Sequence, residues 1–153
     1  GAGGDAPVSA ALAEPTSPSY VRWALDQAGR TADPDEFHVA VFAVVCVEGD
    51  RATAHRRMAP WLAGLLADPT AGIQALPFFD ELVALHADRG ADGLATMPAD
   101  WWIELGPIGT LDDARAHVAA LADAGVHSLG CYPPRDLAFA RTQIEHVLAL
   151  AAG

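Results

Sequence analysis

The chain of 153 residues contains no lysine and no asparagine, and its nine arginines are its only permanently charged side-chain cations. Without lysine there is no Schiff base, no P-loop lysine and no side-chain amine nucleophile. The two cysteines, Cys46 and Cys131, lack metal-ligand spacing and read as free buried thiols rather than a disulfide. Six histidines (38, 55, 86, 117, 127 and 146) form no H-x-H or H-x-x-x-H pair, so no metal site is expected, and His55 beside Arg56 and Arg57 reads as a solvated helix face. There is no G-x-S-x-G, no nucleophile–base pair and no glycine-rich dinucleotide fingerprint. The longest apolar run, Val39 to Val47, is too short to cross a bilayer. No charged-then-apolar leader opens the sequence, which gives a cytoplasmic reading. A net charge of −11 argues against nucleic acid and anionic membrane surfaces as partners.

What is present suits one folded unit. Hydrophobic residues make up 52% and charged residues 19%, enough apolar material for a single core. The 33 alanines read as the codon bias of a GC-rich genome. No fixed-period repeat or low-complexity linker breaks the chain, so residues 1–153 are read as one domain.

The pattern alternates short apolar strands with capped helices. Val8 to Ala13 reads as a strand; Ser17 then caps a helix with Pro18 at its first position, Val21, Ala24, Leu25 and Ala28 inward, and Gly29 as its stop. Phe37 to Val47 is β-branched and almost continuously apolar, which predicts a parallel strand covered on both faces. Asp50 caps the next helix, with Met58, Trp61, Leu62 and Leu65 inward, and a helix-rich excursion fills 71–105. Ile108 marks a very short strand. Thr110 is an N-cap, Asp112 and Asp113 sit at the positive end of the helix dipole, Leu111, Ala114, Val118 and Leu121 share a face, and Gly125 ends the helix. Val126 to Tyr132 is a strand, and a last helix from Asp136 places Leu137, Ala140, Ile144, Val147 and Leu148 at core spacing.

The stretch GPIGTLDDARAHVAALADAGVHSLGCYPP, residues 106–134, resembles the closing segment of the luciferase-like monooxygenases, the flavin- or deazaflavin (F420)-dependent (β/α)8-barrel oxidoreductases. That family carries a G-T-P-[DE]-[DE] turn, a helix ending in A-G-[AV] and the final barrel strand there. LAEPTSPSYVRWAL, residues 12–25, is similar to its fifth strand and following helix. PWLAGLLADP and LPFFDELVAL resemble its helical excursion between strands six and seven. The matches run in the family's order from about Val8 to Leu148; the departures are Leu111 in place of proline and GDAPVS in place of a short D-G turn. A whole barrel needs roughly 250 residues. The resemblance therefore implies the C-terminal half of a TIM-type α/β barrel, strands five to eight side by side and parallel, with helices outside.

The resemblance also implies reduced FMN or F420 acting on a small organic substrate, the redox chemistry being the cofactor's own. Glu14 and Thr16, at a strand tip, would either face the cofactor ring or substrate or merely shape the turn into the helix. Gly106, Gly109 and Thr110 offer backbone N–H groups to a phosphate, or form a plain helix cap. Trp101 and Trp102 are adjacent indoles that a regular helix cannot point into one core, so one covers a pocket mouth or both serve packing and partner contacts. Tyr132 at the last strand tip lines a pocket or packs. A half-barrel leaves unpaired edges and an uncovered inner face, which predicts a homodimer or a complementary N-terminal half as partner. The competing reading is a non-catalytic half-barrel remnant, an assembly or binding module.

Overall fold

The computed structural model describes residues 15–29, 37–132 and 136–153. The expected first strand at Val8 to Ala13 and the site residue Glu14 lie outside the described residues.

The described residues form seven helices and four short strand segments. Helix α1 (Pro18–Gln27) starts as the sequence predicts: Ser17 Oγ accepts the Tyr20 N–H and proline takes the first position. β1 (Ala40–Val44) and β2 (Cys46–Val47) follow, separated by Val45. Asp50 caps α2 (Arg51–Ala67), after which α3 (Ala71–Gln74), α4 (Phe79–Leu94) and α5 (Ala99–Leu105) form the helical excursion. α4 bends at Gly90, whose φ of +62° leaves the helical region. β3 (Ile108–Gly109) leads into α6 (Leu111–Asp123), then β4 (Ser128–Tyr132) and α7 (Leu137–Ala151).

The strands are parallel, as expected, and their order is informative. β1 pairs with β4 in the register Ala40↔Ser128 to Val44↔Tyr132, and β2 pairs with β3 through Cys46↔Ile108 and Val47↔Gly109. The switch falls at Val45, whose N–H reaches Tyr132 O at 3.2 Å, whereas the Cys46 N–H reaches Pro107 O at 3.1 Å. Successive backbone groups of an extended strand point to opposite edges, so the segment 40–47 lies between β3 and β4. This corrects the expectation of neighbours in chain order. β4 takes the edge that a preceding strand would hold in a closed barrel, and it covers backbone groups an open edge would expose.

The side chains of 40–47 alternate between two environments. On one face Val39 and Val41 pack with Val21 and Leu121, and Val45 and Val47 with Ala114, Val147 and Leu150, so α1, α6 and α7 cover it. On the other face Val44 and Cys46 enter the largest core, with Met58 and Leu62 of α2, Leu82 and Leu94 of α4, and Trp102 of α5. Helices thus lie against both faces at the carboxyl end of the strand, not only outside it. At the amino end the second face is open: Phe42 is 64% exposed, so the continuous apolar run is doubly covered only from residue 43 onward.

The last helix departs most from expectation. Ala140 and Gln143 are its buried residues, while Leu137, Ile144 and Leu148 are exposed. Gln143 displaces the predicted core stripe because its amide completes the sheet. It accepts the Val47 N–H at 2.7 Å and donates to Val47 O at 2.9 Å, a strand-like pair beyond the end of β4. Two buried backbone groups that would otherwise go unpaired fix which side of α7 faces inward.

Candidate functional site

In parallel α/β sheets, ligands bind beyond the carboxyl ends of the strands, where helix N-termini converge. Here β2 and β3 end level with one another, tied by the Glu48 N–H to Gly109 O bond of 2.9 Å. The corners after them start α2 and α6. Asp50 Oδ1 accepts the Thr53 N–H at 2.8 Å, and Thr110 with Asp113 forms a capping box: Thr110 Oγ accepts the Asp113 N–H at 3.3 Å, and Asp113 Oδ2 accepts the Thr110 N–H at 3.0 Å.

One ion pair joins the two helix starts. Arg51, the first residue of α2, donates Nε to Asp113 Oδ2 at 2.8 Å and Nη2 to Oδ1 at 2.7 Å. The arginine is half exposed and the aspartate buried. Chiefly through these bonds the Asp113 carboxyl is held down at about 2, so it is ionised throughout the physiological range and cannot serve as a general acid. The carboxylate folds back over Gly109, whose φ is +135°. A Cβ added there would sit 2.5 Å from Asp113 Oδ2, so glycine is required on both counts. Beside this corner Arg57 donates Nε to Glu48 Oε1 at 2.8 Å and lies 4.0 Å over the Phe139 ring.

Of the residues singled out from sequence, Gly106 and Thr110 have their amides engaged within the chain. Thr16 is buried, and the nearby Ser19 N–H at the start of α1 goes to Glu104 Oε1 at 2.9 Å, a carboxylate of the chain itself. Gly106 and Gly109 are buried, and the Thr110 amide is given to Asp113. Of the GPIGT corner, only the Leu111 and Asp112 amides just past it lack a partner among the described residues. Trp102 is fully buried and stacks on His55 with centroids 5.0 Å apart; Trp101, half-buried, stacks on Phe78 at 4.5 Å. Both indoles pack with the same large core, Trp102 within it and Trp101 at its edge under Phe78. Tyr132 stands partly exposed at the tip of β4, on the same face as Phe42. The structure thus brings Gly109 and Thr110 together with Arg51 and Asp113, sets Trp102 against His55, whose charge that ion pair influences, and buries Gly106 just before the corner.

Two histidines are placed differently from expectation. His55 is buried, not solvated, because its ring is the stacking partner of Trp102, and burial lowers its basicity. His117 is fully buried; its Nδ1 lies 2.6 Å from Ile103 O, and burial pushes its pKa down to about 4. His55 Nε2, His117 Nε2 and Trp102 Nε1 have no hydrogen-bond partner among the described residues. His38 and His127, at the amino ends of the strands, meet with centroids 5.1 Å apart and rings tilted by 32°, and His127 Nδ1 accepts the Val39 N–H. No group of three His, Cys, Asp or Glu suited to a metal occurs among the described residues. Cys46 is a buried free thiol pushed up to about 12 by desolvation, and Cys131 is a half-buried free thiol. No helix in the described residues is long and apolar enough to cross a membrane.

Arg51, Arg57, Gln143 and His117 were not identified from sequence. Only Asp113 left a local signal there, at the third position after the Thr110 cap. Its arginine partner is 62 residues away, and nothing in the sequence links the two.

No protein-family model matches the chain, and no curated protein does. Among solved structures, the fold is similar to the coenzyme F420-dependent tetrahydromethanopterin reductase of Methanopyrus kandleri, with a TM-score of 0.60 and 17% identity. That likeness covers 89% of this chain and 42% of the reductase, so the chain spans less than half of the enzyme whose fold it shares.

Proposed function

We propose that this chain is the C-terminal half of a luciferase-like (β/α)8 oxidoreductase that uses a reduced deazaflavin or flavin, F420 or FMN, on a small organic substrate. The observation that carries the reading is the fold likeness to an F420-dependent reductase over 89% of the chain, with family-like motifs in the same order. At 17% identity the likeness speaks to fold, and F420 is favoured over FMN only through that neighbour.

The residues present do not by themselves make a phosphate cradle. Of the corner amides expected to hold one, that of Gly106 is given to Trp102 O and that of Thr110 to Asp113, a carboxylate that would repel a phosphate. A cofactor bound to the complete enzyme would take its anionic contacts from the other half of the barrel. This chain would supply a rigid wall, held by the Arg51–Asp113 clamp, and the open face carrying Phe42 and Tyr132, which the complementary half would cover. The engagement of the Thr110 amide by Asp113 also favours the second reading, a non-catalytic assembly module.

Fluorescence titration separates the two. F420 and FMN are titrated into the chain alone and into the chain with a complementary half made of four βα units. Micromolar binding that requires the complementary half supports the redox reading. No binding in either case overturns it and leaves the assembly module.

A further inference from the structure

The apolar stripe on α7 reads as core and is covered by nothing among the described residues. Leu137, Ile144 and Leu148 are 83%, 52% and 65% exposed, and at about 100° per residue they fall within roughly 40° of one another on the helix. On one side the stripe borders an apolar groove of about 80 Å³ lined by Val45, Cys131, Gln143, Ile144, Val147 and Leu148. On the other side run Arg141 and Glu145, both exposed and neither in an ion pair among the described residues.

We propose that this stripe is a homodimer interface in which α7 of two copies packs antiparallel about a two-fold axis crossing the helix between Thr142 and Gln143. The pattern is its own complement under reversal. Turning one helix end for end sets Leu137 of one copy opposite Leu148 of the other, at the mouth of the groove. The same axis, to within half a residue, sets Arg141 opposite Glu145, twice over. A two-fold interface requires that self-complementarity; a different protein has no need of it. Charge selects the same arrangement. Two copies of a chain with net charge −11 repel, and this face presents one cation and one anion that reversal matches with opposite sign. The two copies lean away from one another beyond the helices, because the stripe lies to one side of the sheet-facing residues Gln143, Val147 and Leu150.

A single 15-residue helix on each side buries less than the roughly 1,200 Å² of a stable complex, so the dimer forms reversibly, with a dissociation constant in the tens of micromolar. Analytical ultracentrifugation of the purified chain across a concentration series tests this. The wild type shows a monomer–dimer equilibrium. L148D is monomeric at every concentration with an unchanged circular dichroism spectrum. R141E and E145R each weaken association about fivefold or more, and the R141E/E145R double variant regains most of it. A wild type that stays monomeric at about 1 mM, a dimer that L148D leaves intact, or a double variant no better than the singles overturns the proposal. So does a stripe that binds a complementary barrel half and not a second copy. The interface does not depend on the redox reading: loss of cofactor binding leaves the ultracentrifugation result unchanged.

Discussion

The two ends of the segment 40–47 differ in what surrounds them. At the carboxyl end the strand has hydrogen-bonding partners on both edges, β3 on one and Tyr132 and Gln143 on the other, with helices against both faces. At the amino end β4 lies on one edge and helices on one face, and Phe42 looks outward over Gly130. Side chains of similar hydrophobicity thus sit in a dense core and on an open wall a few ångströms apart. The helical excursion α2–α5 makes the difference, since it covers Val44 and Cys46 and stops short of Phe42. A parallel strand is buried on both faces only where the crossover helices reach.

The largest expected effect tests the dense end. Trp102→Ala removes a fully buried indole stacked on His55 and should cost about 3–5 kcal/mol in urea denaturation, a large share of the stability of an ordinary domain. A loss below about 1 kcal/mol would mean that this corner is not closely packed.

Acid should loosen the same corner next. His117 is neutral in the fold at pKa about 4, whereas an unfolded histidine titrates near 6.5. The unfolded chain therefore takes the proton first. Stability is full above about pH 6.5 and falls as the pH drops toward 4, by at most about 3 kcal/mol. Denaturation midpoints between pH 7 and 4 measure the slope. His117→Gln, which cannot titrate, should flatten it even if it lowers the plateau.

The clamp between α2 and α6 comes third. Asp113→Ala deprives the Thr110 amide and Arg51 of their acceptor and should cost about 2–3 kcal/mol, less than a fully buried pair because the arginine is half exposed. The same carboxylate gives a second acid-sensitive phase below that of His117. Its folded pKa of about 2 lies under the unfolded value, so its contribution is complete above about pH 4 and disappears as the pH falls through 2. The D113A variant should lack that phase. Gln143→Ala follows at about 2 kcal/mol, because it strands the buried Val47 N–H and C=O, and Gln143→Leu should do no better despite restoring apolar volume.

Legibility in the sequence followed the range of the interaction. Caps, glycine stops and strand positions were readable because they are fixed by neighbours in the chain: Ser17, Asp50 and Thr110 cap as expected, the last helix starts at Asp136, and Gly29 and Gly125 take positive φ. Strand order, the Arg51–Asp113 clamp and the burial of His55 were not, since each joins segments tens of residues apart. α7 shows the limit most clearly. Its leucines have flawless core spacing, yet one glutamine that bonds the end of a strand 96 residues away decides which face turns inward. The candidate site was half readable for the same reason: Gly109 and Thr110 mark the corner, while the arginine that closes it does not.

The smallest effect is the sharpest test of the comparison. Phe42→Ser should change the stability of the chain alone by no more than about 0.5 kcal/mol, because the ring is mostly exposed, whereas Val41→Ala on the covered face should cost about 2 kcal/mol. Adjacent positions in one strand would then differ severalfold for a reason no propensity scale contains. Assembly should reverse the ranking. If a complementary half covers the open wall, Phe42 becomes the core residue its hydrophobicity suggests, and Phe42→Ser should weaken that association tenfold or more, at about 1.4 kcal/mol per decade. A pull-down or titration with the complementary half reads this directly, and equal binding by wild type and variant would leave Phe42 as an exposed side chain with no partner to meet.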